Sequence, residues 1–208
     1  MELPQELKSK TPEEIEDWFL AAIEETGLPA EQLVRLLEVV AAEAGIETAG
    51  SLAEFLQESL ADRGDRVSGL RLLSLRAGWA PGDDGREMCR AEAERLLNDR
   101  SGRKLVAGAG FDSGVPAREC VRRLQTLTRL QPGTLCLDNT WGFGVVRDLD
   151  DFYAKVTIDF SGKRGHQMTY AYAGETLELL DDDHLLARRH NEPEAVARLA
   201  SKDPAELV

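Results

Sequence analysis

Long apolar runs, paired cysteines and phosphate-binding glycine motifs are all missing from this sequence, and each absence excludes a class of protein. No apolar run approaches the roughly 18 residues that a membrane span needs. The first ten residues, MELPQELKSK, lack the hydrophobic core of a secretory signal, so we expect a cytoplasmic protein. The three cysteines (Cys89, Cys120 and Cys136) lie far apart and show no zinc-binding spacing. We interpret them as buried, reduced thiols.

Basic residues are also scarce relative to acidic ones. The 208 residues include 25 Lys and Arg against 38 Asp and Glu, a net charge of −13. Residues 1–65 carry 4 basic and 16 acidic side chains, residues 66–130 carry 13 and 8, and residues 131–208 carry 8 and 14. Phosphate contacts need a basic surface, so nucleic-acid binding is possible only through the basic middle third. The balance favours protein partners.

Residues 1–130 predict a succession of helices. In TPEEIEDWFLAAIEETG, Thr11 and Glu14 predict a capping box, Pro12 the first helical position and Gly27 the stop. The apolar spacing repeats over 29–45 and 48–64 and predicts further helices near 67–78, 84–98 and 115–130, with a short one within 98–111. Units about 17 residues apart favour an array of helical hairpins.

The pattern changes after Gln131-Pro132-Gly133. Five short runs rich in β-branched and aromatic residues follow: TLCLD, FGVVRD, YAKVTIDF, HQMTYAY and TLELL. Turn residues separate them at Asn139, Asp150, Ser161 and Gly174. We therefore predict an α+β chain with a helical array domain over 1–130, a small five-stranded SH3-like β-barrel over 131–180 and a short helical tail over 181–208.

Two glycines in NTWGFGVVRD, Gly142 and Gly144, have two interpretations. Glycines beside an aromatic residue can cradle a phosphate, but that requires a helix N-terminus or a nest of successive amides. Here they precede a strand, and no G-x-G-x-x-G or G-x-x-x-x-G-K pattern surrounds them. We favour a bend at the opening of a barrel strand.

The remaining motifs with titratable side chains give little support for metal binding or catalysis. Asp181, Asp182 and Asp183 before His184 suggest either a metal or, as we prefer, the N-cap and first turn of a helix. His166 is either a general base or, as we prefer, a structural hydrogen-bonding residue across a turn, since no nucleophile motif accompanies it. We predict no metal, no cofactor and no enzymatic activity.

A basic strip precedes the predicted barrel. Arg118 and Arg122 lie four residues apart and share a helix face, with Arg123 and Arg129 close in sequence. The strip is either a solvated helix face, which we prefer, or a docking site for an acidic protein surface or nucleic acid.

Residues 132–208 resemble a known bacterial module. The motifs that carry the resemblance are WGFG after the first strand, VTIDF, GKRGHQM, and DHLLARRHNEPEAVARLASKDPAELV. They are similar to a region upstream of the transcript-cleavage domain in some long GreA/GreB-type transcription elongation factors.

The resemblance implies a role near RNA polymerase, with a barrel akin to the polymerase-interacting domains of CarD-like factors. It carries no cleavage chemistry, because the acidic two-helix hairpin of those factors is not matched. The chain is then either a fragment or a relative that kept the binding parts.

These observations predict a non-enzymatic protein-interaction module associated with bacterial RNA polymerase and transcription elongation. The alternatives are a helical-repeat adaptor unrelated to transcription, with the barrel as a structural cap, and an enzyme that uses His166 with a nearby carboxylate. The candidate partner-binding residues are Trp141, Phe143, Arg147, Phe152, Tyr153, Lys163, Arg164 and His166 in the barrel, and Arg118 and Arg122 in the preceding helix.

Overall fold

The computed structural model describes residues 10–24 and 28–202, and the fold within them is α+β. The helices before the first strand are α1 (Pro12–Glu24), α2 (Ala30–Glu43), α3 (Ile46–Asp62), α4 (Arg66–Trp79), α5 (Asp83–Leu96), α6 (Arg100–Ala109) and α7 (Ala117–Thr128). The later elements are β1 (Leu135–Asp138), β2 (Gly142–Asp150), β3 (Lys155–Phe160), β4 (Lys163–Thr169), α8 (Tyr170–Thr176), β5 (Leu177–Leu179), α9 (Leu185–Asn191) and α10 (Pro193–Lys202).

The chain forms two compact units, residues 1–122 and 123–208. In the first unit, each consecutive pair of helices from α2 to α6 is in contact, and α1 contacts α3. The core is built from the apolar faces that the sequence spacing predicts, with Phe19, Leu37, Leu52 and Leu56 almost fully buried. The helices predicted from the sequence are therefore confirmed. The predicted stop at Gly27 lies outside the described residues.

The capping box that opens α1 is also confirmed. The Thr11 amide donates to Glu14 Oε2 at 2.8 Å, and the Glu14 amide donates to Thr11 Oγ1 at 3.3 Å. These bonds satisfy two of the amides that a helix N-terminus leaves without partners. The hydrogen bond from the Thr11 amide also holds the pKa of the Glu14 carboxyl below its usual value.

The second unit is built on an antiparallel sheet in the order β4-β3-β2-β1-β5. Val156, Ile158 and Phe160 of β3 are buried while the residues between them are half-buried, as the alternation in VTIDF predicts. The register of β2 against β3 shifts between Val146 and Asp148, which marks a bulge. Strands β4 and β5 form the two edges, so the pairing within the described residues does not show a closed barrel.

One predicted strand is partly wrong. The run HQMTYAY continues as a strand only to Thr169, because Tyr170 begins α8. Thr169 caps this helix, its Oγ1 accepting from the Tyr172 amide at 3.3 Å. Gly174, predicted as a turn, lies inside α8, where a Cβ atom would stand 3.3 Å from Leu127. This glycine marks a close packing contact within the second unit.

The interpretation of the aspartate run also needs correction. Helix α9 begins at Leu185, and its N-cap is His184, whose Nδ1 accepts from the Leu186 amide at 3.1 Å. The three aspartates therefore precede the cap and do not form the first helical turn. Among the residues that the structure describes, no cluster of three or more His, Cys, Asp or Glu side chains is arranged to hold a metal ion.

Within the described ranges, no helix combines the length and the apolar character needed to cross a bilayer.

Candidate protein-binding surface

The connection between β2 and β3, residues Asp151–Ala154, presents two exposed aromatic side chains. Phe152 is 64% exposed and Tyr153 is 67% exposed. Their rings meet edge to face with centroids 4.8 Å apart, and Lys155 Nζ lies 6.0 Å from the centre of the Tyr153 ring. We call residues Asp151–Ala154 the β2–β3 tip.

Three hydrogen bonds order the tip. The Tyr153 amide donates to Asp150 Oδ1 at 3.0 Å, and the Tyr170 amide donates to the Ala154 carbonyl at 2.8 Å. The Tyr170 hydroxyl donates to Asp151 Oδ1 at 2.7 Å. Burial of Tyr170 and its bond to Asp151 raise the pKa of this phenol, so it remains a donor at neutral pH.

A second aromatic group lies at the other end of the β2–β3 hairpin. The half-buried Trp141 ring lies 4.6 Å from the His166 ring and 6.4 Å from that of Phe160, measured between centroids. Lys163 Nζ lies 4.6 Å from the centre of the Trp141 ring, a distance typical of a cation–π contact. The nine residues of β2 lie between this group and the tip, a length of up to about 30 Å along the strand at the usual rise of ~3.3 Å per residue.

The turn before β2 sets the position of Trp141. Buried Asp138 ends β1, and its Oδ1 accepts from the amides of Thr140 and Trp141 at 2.8 and 2.9 Å. Gly142 then begins β2 with φ of 73°, a left-handed conformation that favours glycine. This geometry supports a bend at the opening of the strand, as the sequence predicts, because Gly142 begins β2 and Gly144 lies within it, with no helix N-terminus beside them.

His166 lies within β4 opposite Ile158 and not in the turn where the sequence places it. Its ring packs against aromatic rings, with the Phe160 centroid 5.8 Å away in addition to Trp141. Lys163 and Arg164 are exposed residues of the same strand. His166 is thus a packed strand residue, and its neighbour Trp141 also faces the Lys163 ammonium.

Phe143 and Arg147 each face a neighbour that the sequence does not reveal. The Phe143 ring lies 5.4 Å from the His190 ring of α9. Arg147 Nε donates to Asp159 Oδ2 at 2.9 Å, while the Gly165 amide donates to Asp159 Oδ1 at 2.7 Å. The Gly165 amide and then Arg147 hold the pKa of the Asp159 carboxyl below its usual range. Asp159 thereby joins Arg147 on β2 to Gly165 of β4.

The arginines of the predicted basic strip are largely engaged with acidic side chains. In the first unit, Arg122 forms two hydrogen bonds of 2.7 Å with Glu119, and Arg118 is exposed. In the second unit, Arg123 lies 3.6 Å from Glu175, and Arg129 pairs with Asp181 at 2.6 Å. The strip therefore presents less positive charge than the sequence suggests.

The structure thus places five of the candidate residues of the second unit in two separate groups. Trp141, Lys163 and His166 come together, whereas Phe152 and Tyr153 form the tip at the opposite end of the hairpin. Sequence reasoning missed Tyr170 and Asp151, which order the tip, because they lie 19 positions apart. A signal was present in Tyr170 itself, since a tyrosine in a buried stretch usually places its hydroxyl on a polar partner.

Comparison with known proteins supports a relationship to one class of factor. The chain is 23% identical over 124 residues to the transcription elongation factor GreA of Chlamydia trachomatis serovar D. The match covers 59% of this chain and 17% of that protein, so the chain spans well under a fifth of its curated relative. No protein-family model and no solved structure matches the chain. Over these residues the chain is therefore similar to a Gre-type elongation factor.

Proposed function

We propose that this chain is a non-enzymatic protein-interaction module that binds bacterial RNA polymerase and acts in transcription elongation. The observation that carries the proposal is the similarity to GreA over 59% of the chain. The match covers 17% of the length of that GreA, so the activity of the whole protein is not transferred to this chain. The part of the function proposed here is binding.

We also infer that the second unit is an SH3-like barrel of the kind found in CarD-like factors. Four strands form a meander, and β5 returns beside β1 after the short helix α8, which brings the two ends of the segment together. The bulge at Arg147 increases the local twist of β2, and strong twist is what curls a small sheet toward closure. Such a scaffold holds its connecting loops rigidly enough to present a docking element.

The environments of two cysteines and of the candidate residue His166 support binding and not catalysis. Burial raises the pKa of the Cys89 thiol to about 11 and that of Cys136 to about 12. A thiol is nucleophilic as the thiolate, so these two cysteines are weak nucleophiles at neutral pH. His166 packs against Trp141 and Phe160, and aromatic side chains are enriched at protein interfaces.

The direct test is retention of the purified full chain on immobilised bacterial RNA polymerase core enzyme. We expect retention at low salt that exceeds the retention of an unrelated protein of similar size and net charge. This control is needed because a chain of charge −13 binds basic surfaces nonspecifically. No retention above the control would contradict the proposal. Cross-links to another partner protein that map only to residues 1–130 would instead favour the helical-repeat adaptor unrelated to transcription.

A further inference from the structure

We propose that the β2–β3 tip is the docking element of the second unit and that it inserts Phe152 and Tyr153 into an apolar pocket with a basic rim on a partner protein. The inference rests on the proposed function and adds to it the contact surface and the chemistry of the partner site.

Exposure singles out the tip. Phe152 and Tyr153 are the most exposed aromatic side chains in the described part of the chain, at 64% and 67%. Trp141 and Phe143, the other aromatic candidates, are half-buried and already face His166, Lys163 and His190. Large aromatic side chains that fill a pocket carry most of the binding free energy at protein interfaces. Two of them side by side form a compact anchor.

The tip is ordered before any partner arrives. Ala154 has φ of 50°, which is uncommon for a residue other than glycine, and its carbonyl accepts from the Tyr170 amide. The Tyr170 hydroxyl fixes Asp151 on the other side of the two aromatics, and Asp150 fixes the Tyr153 amide. A binding loop that is already ordered loses less conformational entropy on association. Tyr170 is therefore a positioning residue for the tip.

The charge around the tip selects the kind of partner. Asp148, Asp150 and Asp151 flank the two aromatics, with Lys155 as the neighbouring cation. Three carboxylates against one ammonium repel phosphates, which argues against nucleic acid and anionic lipid despite the exposed aromatic rings. A protein pocket rimmed by Arg or Lys complements both the apolar centre and the acidic border.

The closing experiment compares variants of the full chain for binding to RNA polymerase core enzyme. We expect the double variant Phe152→Ala, Tyr153→Ala to bind at least about tenfold more weakly. The matched control is Phe55→Ala, which removes a 48% exposed aromatic from α3 of the first unit and leaves binding unchanged. The role of the tip is overturned if the double variant binds as tightly as the unaltered chain, or if Phe55→Ala weakens binding as much as the double variant does. Either result leaves the proposed function standing. Failure of the unaltered chain to bind overturns both.

Two further variants test positioning and charge. Tyr170→Phe removes the hydroxyl that binds Asp151, and we expect binding about threefold weaker in the unaltered chain but no further loss in the double-alanine variant. If the hydroxyl only stabilised the fold, Tyr170→Phe would weaken binding equally in the unaltered chain and in the double-alanine variant, which would contradict the positioning role.

Asp148→Asn should slow association at low salt and reduce the salt dependence of binding. Binding that is unaffected by this change, or self-association that depends on the tip, overturns the basic-rimmed partner site.

Discussion

At the scale of single residues, Gly144 shows how a glycine can be required for space. A Cβ atom at this position would lie 2.7 Å from two ring carbons of Phe160 and 2.8 Å from Cγ2 of Ile158. Phe160 is the cross-strand partner of Gly144, so its ring occupies the volume that a side chain would need. Gly142 permits the left-handed backbone of the turn, whereas Gly144 leaves the space that the Phe160 side chain occupies where β2 pairs with β3.

We predict that Gly144→Ala destabilises the second unit by about 1–3 kcal/mol, because a close-packed core accommodates an added methyl group poorly. The measurement is hydrogen exchange of the β2 and β3 amides, which reports the opening of this unit. Gly162→Ala is the matched control, since a Cβ there meets no neighbouring atom within 4 Å among the described residues. Equal protection in the two variants would show that Phe160 moves aside at little cost.

Residue types were predictable from the sequence, but their neighbours were not. The sequence singles out Trp141, Lys163 and His166 without indicating that they meet, because strand register brings distant positions together. Phe152 follows the predicted turn at Asp150, but the strand predicted from Tyr153 begins only at Lys155, so Tyr153 lies in the exposed connection. Contacts such as Phe143 with His190 depend on tertiary packing.

At the scale of elements, local signals with a direct hydrogen-bonding mechanism gave correct boundaries. Thr11 and Glu14 predict the start of α1, and their reciprocal bonds form there. The strand predicted over HQMTYAY ends early, because a strand-like and a helix-like pattern overlap there. Tyr170 and Ala173 are buried at the helical spacing of three. Alternation of side-chain size resembles a strand, while the Thr169 cap and the close contact at Gly174 favour the helix. The start of α9 is likewise set by a local hydrogen bond, in which His184 Nδ1, and not an aspartate, accepts from the Leu186 amide.

We predict that Thr11→Ala lowers the stability of the α1 region by about 1 kcal/mol, because the Glu14 amide loses its side-chain acceptor. Hydrogen exchange of the α1 amides measures the effect. Thr11→Ser keeps a hydroxyl acceptor at the same position and serves as the control, with protection close to that of the unaltered chain. If alanine and serine behaved alike, the capping hydroxyl would contribute nothing measurable to α1.

At the scale of the whole molecule, composition predicted a chain without paired cysteines, and the structure confirms buried free thiols at Cys89, Cys120 and Cys136. Cys89 lies in the first unit and Cys136 in the second, so each core contains a group that resists ionisation. Burial accounts for most of the raised pKa in both cases, about 11 for Cys89 and about 12 for Cys136 against an ordinary value of 9.0. In the unfolded chain the same thiols ionise freely.

Because the pKa of each thiol is higher in the folded than in the unfolded state, its stabilising contribution is complete below about pH 9. The contribution is lost as the pH rises toward 11 for Cys89 and toward 12 for Cys136. We therefore predict that the free energy of unfolding falls by about 1.4 kcal/mol per thiol for each pH unit above 9.

Urea unfolding of the second unit measures this loss between pH 8 and pH 10. The signal is Trp141 fluorescence in a Trp18→Phe, Trp79→Phe background. Cys136→Ala should show a loss about 1.4 kcal/mol smaller over that range, and Cys89→Ala should leave the loss unchanged. The same slope in the Cys136→Ala variant would mean that other groups, such as lysines, determine the alkaline instability.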